Sequence, residues 1–183
     1  MALSKIRNAS VAGLVHLETQ EATSAVADIK FGPDVFNTTY DIYRIFGRVY
    51  PATDSTNVVF RFLDNSETDL TGTAYYRHAN SSGTVNNDVS GKISSTLGAA
   101  ANAEFGLLFS ADVWLPHVGA TDYASCIVSR TARANNAQDP KEDILVNVFR
   151  YDNITTQPEG MRFFMSSGNM AKALISVFGV SEG

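Results

Sequence analysis

The side chains able to do chemistry are few and scattered along this 183-residue chain. His16, His78 and His117 have neither the i, i+2 nor the i, i+4 spacing that brings imidazoles onto one ion, so no metal site is expected from them. The single cysteine, Cys126, sits mid-strand in "ASCIVS", where a small buried thiol is the expected state and a nucleophile paired with histidine is not. The acidic run "DNSETD", Asp64 to Asp69, places oxygens at alternate positions. It lacks the central glycine and terminal glutamate of a helix-loop-helix calcium site and reads as a solvated hairpin loop. No G-x-S-x-G elbow, phosphate-binding loop or dinucleotide fingerprint occurs. Nothing singles out a carboxylate pair for glycoside cleavage among the 19 acids. The expectation is a protein that is not an enzyme and takes no cofactor.

Aromatic rings offer binding chemistry instead. Tyr75, Tyr76 and Trp114 could stack on a sugar or on another protein, and adjacent tyrosines in a strand face opposite ways, so at most one of the pair is expected to be buried. The interaction surface expected from sequence comprises Tyr75 and Trp114, with Asn86 and Asn87 from a polar stretch.

The elements that must position these groups are strands. Runs rich in Val, Ile, Phe and Tyr recur between clusters of turn residues, and none carries a sustained 3.6-residue period with caps at both ends. Strands are predicted at 25–31, 40–50, 57–64, 73–79, 104–115, 122–133, 143–151, 161–166 and 173–179. Val58, Phe60 and Phe62 share one face with Arg61 opposite, and Ile144, Val146 and Val148 oppose Asn147. Segment 40–50 has large apolar groups on both faces, which predicts a central strand covered on both sides. Its Arg44 and Arg48 share a face and need partners or an exit to solvent.

Nine strands without intervening helices predict an all-β fold, an antiparallel two-sheet β-sandwich of jelly-roll-like form. Residues 1–24 are expected to be an N-terminal arm or a first strand, and 25–183 a single sandwich domain. Its long polar loop at 80–102, "NSSGTVNNDVSGKISSTLGAAAN", would serve as a flap or an interaction arm. "MRFFMSSGNMAKALISVFGV", 161–180, reads as a terminal hairpin closing the sandwich, with Phe163, Met165, Leu174, Ser176 and Phe178 feeding the core.

A chain of this length can bury roughly 70% of its unfolded surface in one domain. The net charge of −5 gives no basic field for nucleic acid, and no run approaches the length of a membrane-spanning helix, so neither partner is expected. The lone cysteine excludes an intrachain disulfide framework. The N-terminal twenty residues read as mature sequence, because His16 and Glu18 interrupt the apolar stretch "VAGLV".

The segment "YDIYRIFGRVYPATDSTNVVFRFLDNSETDLTGTAYYRHA", 40–79, resembles a part of bacteriophage virion proteins in which a central strand is followed by Pro-Ala/Ser-Thr, an apolar-x-apolar-Arg-Phe strand and a Tyr-Arg strand. The closing stretch 161–180 is similar to the end of the same proteins, a Ser-Gly-Asn turn leading to a last strand that finishes in Tyr/Phe-Gly. Together they cover about a third of the chain. The resemblance implies a jelly-roll-like sandwich in which Tyr40, Tyr43, Arg44, Pro51, Phe60, Arg61, Tyr76, Arg77, Gly168 and Gly179 are architectural, with no catalytic set. "LDNSETDLTG" stands where the family more often has a glycine-rich stretch, and Phe178–Gly179 where Tyr-Gly is common.

The function implied is that of a phage particle component, first of all a capsid decoration or cement protein. Its partners would be other virion proteins, the major capsid protein above all. A homo-oligomer is implied too, and a trimer would suit sites of threefold symmetry. Assembly would take place in the host cytoplasm and the protein would reside in the virion. The alternative is a tail- or fibre-associated module that binds host glycan through exposed rings.

Overall fold

The computed structural model of the protein describes residues 13–37, 39–53, 56–71, 75–79, 85–88, 90–93, 106–115, 126–133, 145–151 and 158–181. Among these residues there are twelve strands and no helix: β1 (Gly13–Ala22), β2 (Asp28–Phe31), β3 (Ile42–Pro51), β4 (Val58–Leu63), β5 (Tyr75–Ala79), β6 (Val85–Asp88), β7 (Gly91–Lys92), β8 (Leu107–Trp114), β9 (Cys126–Arg133), β10 (Leu145–Tyr151), β11 (Gly160–Met165) and β12 (Met170–Ser181). They form two antiparallel sheets. The larger has the order β1-β12-β3-β8-β9-β10-β5-β6 and the smaller β2-β11-β4-β7. The fold is therefore an all-β sandwich, and each of the nine expected strands has its counterpart in it.

The core lies between the sheets and is largely aromatic. From the small sheet, Phe60 meets Phe149 edge-on at 5.4 Å between ring centroids, Phe62 stacks on Tyr75 at 6.0 Å, and Phe163 packs on Phe109 at 5.9 Å. Such ring pairs add about 0.5–1.5 kcal/mol each beyond the area they bury. Alternation does what the sequence indicates in β4, where Val58, Phe60 and Phe62 are buried and Arg61 points out. In β10 it runs the other way from expectation: Phe149 and Tyr151 are buried and Val148 is only half-buried. The larger aromatic surface takes the interior position, where it displaces more water. In β3, Gly47 admits the Phe109 ring, which lies where a Cβ would stand, 2.1 Å from its nearest atom.

Three expectations need correction. The stretch 161–180 is not a hairpin. β11 pairs with β2 and β4 in the small sheet, whereas β12 pairs with β1 and β3 in the large one, so Ser166–Asn169 is a corner between layers. Gly168 takes φ +71° there, with the Thr53 side chain against it, and Ser166 and Ser167 tie the corner to Thr56 and Asn57.

In β12, Ala173, Ile175 and Val177 face the core, and Leu174 is exposed. An irregularity between Met170 and Lys172 causes this: buried Met170 would otherwise continue inward through Leu174 and Phe178, and one extra residue reverses the parity.

The polar stretch 80–102 holds strands. β6 pairs with β5, and β7 pairs with β4 and delivers Ile93 to the core, its N–H bonded to the Val58 carbonyl at 2.9 Å. Small residues suit this position because Gly91 lies directly under the Phe60 ring. At the other end, β1 joins the large sheet from residue 13, so the sandwich begins before residue 25. Gln20 on β1 also donates to the Lys30 carbonyl on β2 at 2.5 Å, tying the two sheets together at their edges.

Candidate functional site

The outer surface of the large sheet is built by register. Residues directly opposite one another in antiparallel strands share a face, and across β1, β12, β3 and β8 this produces four rows on the side away from the core. The first is Leu14, Val180, Ile42 and Trp114. The second is His16, Phe178, Arg44 and Asp112, the third Thr19, Ser176, Phe46 and Ser110, and the fourth Glu21, Leu174, Arg48 and Leu108.

Six large apolar side chains of these rows stand open to solvent: Leu14, Ile42, Phe46 (43%), Leu108 (54%), Trp114 (39%) and Leu174. Their strands fold this way because the opposite parity, Tyr43, Ile45 and Val49 in β3 and Leu107, Phe109, Ala111 and Val113 in β8, is fully or almost fully buried. The outer positions are what remains. β3 is central in its sheet, as expected, but one of its faces is uncovered. The apolar residues at 42 and 46 that suggested two covered faces form instead an exposed one.

The face is ordered by its own contacts. Phe46 meets Phe178 edge-on at 5.7 Å, and Phe178 meets His16 at 5.3 Å, a chain of rings crossing three strands. The His16 Nε2 lies 2.8 Å from Thr19 Oγ1, which is 2.7 Å from Ser176 Oγ. Arg44 donates twice to Asp112, Nε to Oδ1 at 2.6 Å and Nη2 to Oδ2 at 3.1 Å. That carboxylate raises the Arg44 pKa further above its usual value, through the hydrogen bond first and its charge second. The Arg48 guanidinium lies over the Tyr50 ring at 4.9 Å. Both arginines thus have the partners or solvent exit that their shared face requires. Where Arg48 emerges, a shallow depression of about 310 Å³ is lined by Glu21, Tyr50, Lys172 and Leu174 among others.

Of the surface residues expected from sequence, Trp114 lies on this face and Tyr75 does not. Tyr75 is fully buried. Its hydroxyl donates to the Leu70 carbonyl and accepts from the Phe62 N–H, each at 2.9 Å, so a side chain of the large sheet pins the backbone of the small one. Burial raises its pKa well above the usual phenol range, against the lowering effect of the Phe62 hydrogen bond. An amphipathic ring with a satisfied hydroxyl is more stable inside than at the surface, which corrects the expectation of an exposed Tyr75. Asn86 and Asn87 are paired in register with Arg77 and Tyr76 on the edge strand β6, away from the four rows.

Cys126 opens β9 opposite Arg150, His78 lies in β5 between Val85 and Val148, and His117 is outside the described residues. Among the described residues, no group of three or more His, Cys, Asp or Glu could hold a metal ion, and no helix is long and apolar enough to cross a membrane. Asp64 Oδ1 is engaged by the N–H groups of Ser66 and Thr68, closing its loop as an Asx turn.

Sequence reasoning missed Leu14, Ile42, Phe46, Leu108 and Leu174 as surface groups. For Ile42 and Phe46 the signal was present as unusual apolarity on both parities of 40–50, which alternation alone cannot tell from a doubly covered strand. No protein-family model, curated protein or solved structure matches this chain.

Proposed function

We propose that the protein is a structural component of a bacteriophage particle, a capsid decoration protein that stabilises the shell through contacts between protein subunits. One observation carries the reading: the outer face of the large sheet exposes Leu14, Ile42, Phe46, Leu108, Trp114 and Leu174 together across four adjacent strands. Contiguous exposed apolar surface of this kind marks interaction sites. Its polar groups are spaced between the apolar ones, as in interfaces that assemble from folded parts. In a shell, modest contacts repeated by symmetry add up to a large total. The jelly-roll-like form belongs to the same reading, supported by the crossing from β11 in one sheet to β12 in the other. So do the major capsid protein as partner, assembly in the host cytoplasm and residence in the virion.

The test is reconstitution. Protein added to shells lacking it binds to saturation at a symmetry-defined copy number and shifts shell rupture to higher temperature, and Leu108→Asp abolishes both effects. A second reading, a tail-associated module binding host glycan, is favoured by the exposed ring of Trp114. In that case the protein binds host cells saturably, Trp114→Ala removes the binding, and shell rupture does not move. Cell binding without shell binding overturns the decoration reading.

A further inference from the structure

We propose that the partner seated on the outer face of the large sheet is a second copy of this chain, packed sheet to sheet about a two-fold axis that runs parallel to the strands between β12 and β3. The inference rests on reading this face as an interface and names what covers it.

Charge is the first argument. The whole chain carries −5, yet the four rows hold Arg44 and Arg48 against Asp112 and Glu21, with Lys172 beside them, so this face carries none of the excess negative charge, which lies elsewhere. Two copies can approach through this face without the repulsion that other orientations meet.

Self-complementarity is the second. A two-fold interface sets one patch against itself, and this axis lays each row over the reversed copy of the same row. The first row then places Val180 over the partner's Ile42 and Leu14 over the partner's Trp114, apolar on apolar throughout. The second places His16 at the partner's Asp112 and Phe178 over the partner's Arg44, a ring under a guanidinium. In the fourth, Leu174 lies along the aliphatic stem of the partner's Arg48, and Glu21 falls over the partner's Leu108 at the rim of the patch. The alternative two-fold axis, along the rows, makes as many charge-on-apolar pairs, Leu14 on the partner's Glu21 and Ile42 on the partner's Arg48, and has no counterpart to the His16–Asp112 pair, since it sets Asp112 on the partner's Ser110. Sheets packed face to face are turned about 30° by their twist, which displaces individual pairs but keeps the apolar row on the apolar row.

Mass measured by light scattering across a dilution series of the full chain tests the inference. The expected result is a dimer that dissociates on dilution. Phe46→Asp and Leu108→Asp should each give a monomer with an unchanged far-ultraviolet circular dichroism spectrum and a sharp thermal transition. Geometry is tested separately: in a Cys126→Ser background, Leu14→Cys combined with Trp114→Cys, which lie three strand spacings apart within one chain and cannot bridge there, forms an intermolecular disulfide on mild oxidation, whereas Glu159→Cys, outside the four rows, does not. A monomer at every concentration, a trimer, or a dimer that neither aspartate variant dissociates overturns the inference. A monomer that still binds shells saturably through this face defeats the dimer and leaves the decoration reading standing. A dimer that binds no shell supports the dimer and defeats that reading.

Discussion

The two outer surfaces of the sandwich are finished in opposite ways. On the small sheet, Arg162 donates to Asp28 and Asp69, each at 2.8 Å, and Arg61 donates to the same Asp69 at 2.7 Å. Both guanidinium groups also lie against the Phe164 ring, at 5.1 and 4.7 Å from its centroid. Val59, on the same face, is almost fully buried. The chain has sealed that surface with its own side chains. On the large sheet, the ion pair of Arg44 with Asp112 sits among six open apolar groups. The first surface is closed by its own ion pairs and rings, and the second leaves six large apolar side chains open to solvent.

The hardest test of this contrast removes one surface. Deleting residues 170–183 takes β12 from between β1 and β3 and with it the second column of every row, while the small-sheet order β2-β11-β4-β7 keeps all its members. Stripped of a central strand, the large sheet exposes two new edges. The truncated protein is expected in the insoluble fraction on expression, and a soluble product with a sharp thermal transition would show that the large sheet does not depend on β12.

Paired substitutions sharpen the comparison. Asp69 is only 16% exposed and serves two arginines that are themselves mostly covered. Asp69→Ala therefore leaves both unpartnered by it and should cost about 2–3 kcal/mol in urea unfolding, somewhat below the range for breaking a fully buried pair. Asp112→Ala on the open face, where both partners are over 40% exposed, should cost about 0–1 kcal/mol. Equal losses would erase the distinction between the surfaces.

The interior offers a control for both. Tyr75→Phe strips the Phe62 N–H and the Leu70 carbonyl of a buried partner and should cost about 1–3 kcal/mol, an effect no exposed tyrosine would have. Its ionisation gives the same answer by another route. The folded pKa of Tyr43 is raised to about 12, chiefly by burial, and that of Tyr75 is raised by burial as well. An unfolded tyrosine titrates near pH 10, so the unfolded chain loses these protons first. Stability present below pH 10 should thus fall progressively up to about pH 12. Urea midpoints measured through that window check the sign, and Tyr75→Phe should flatten the decline.

The smallest expected change concerns folding and the open face. Phe46→Ser or Leu108→Ser in the monomeric state should move stability by no more than about 0.5 kcal/mol, the usual range for surface positions. A loss of several times that would mean these side chains belong to the core of a single chain.

From sequence alone, periodicity determined that the chain is all-β and where most strands run, and in β4 it also determined which residues share the interior. It placed Arg44 and Arg48 on one face, and it located the turn residues of the corner at Ser166–Asn169. A strand's alternation is a local property, because successive side chains must point to opposite sides of the pleat. Which of the two sides meets the other sheet is not local, and neither is the identity of the neighbouring strand. Tertiary structure alone decided that β11 and β12 lie in different layers and that one extra residue after Met170 turns Leu174 outward. It decided that Tyr75 points in, because its hydroxyl finds the Phe62 and Leu70 backbone groups there. It likewise left Ile42, Phe46 and Leu108 uncovered. Sequence could show that β3 is apolar on both parities, but only the sheet packing, which buries one face of β3 and, among the described residues, sets no third layer on the other, made the outer parity an open surface.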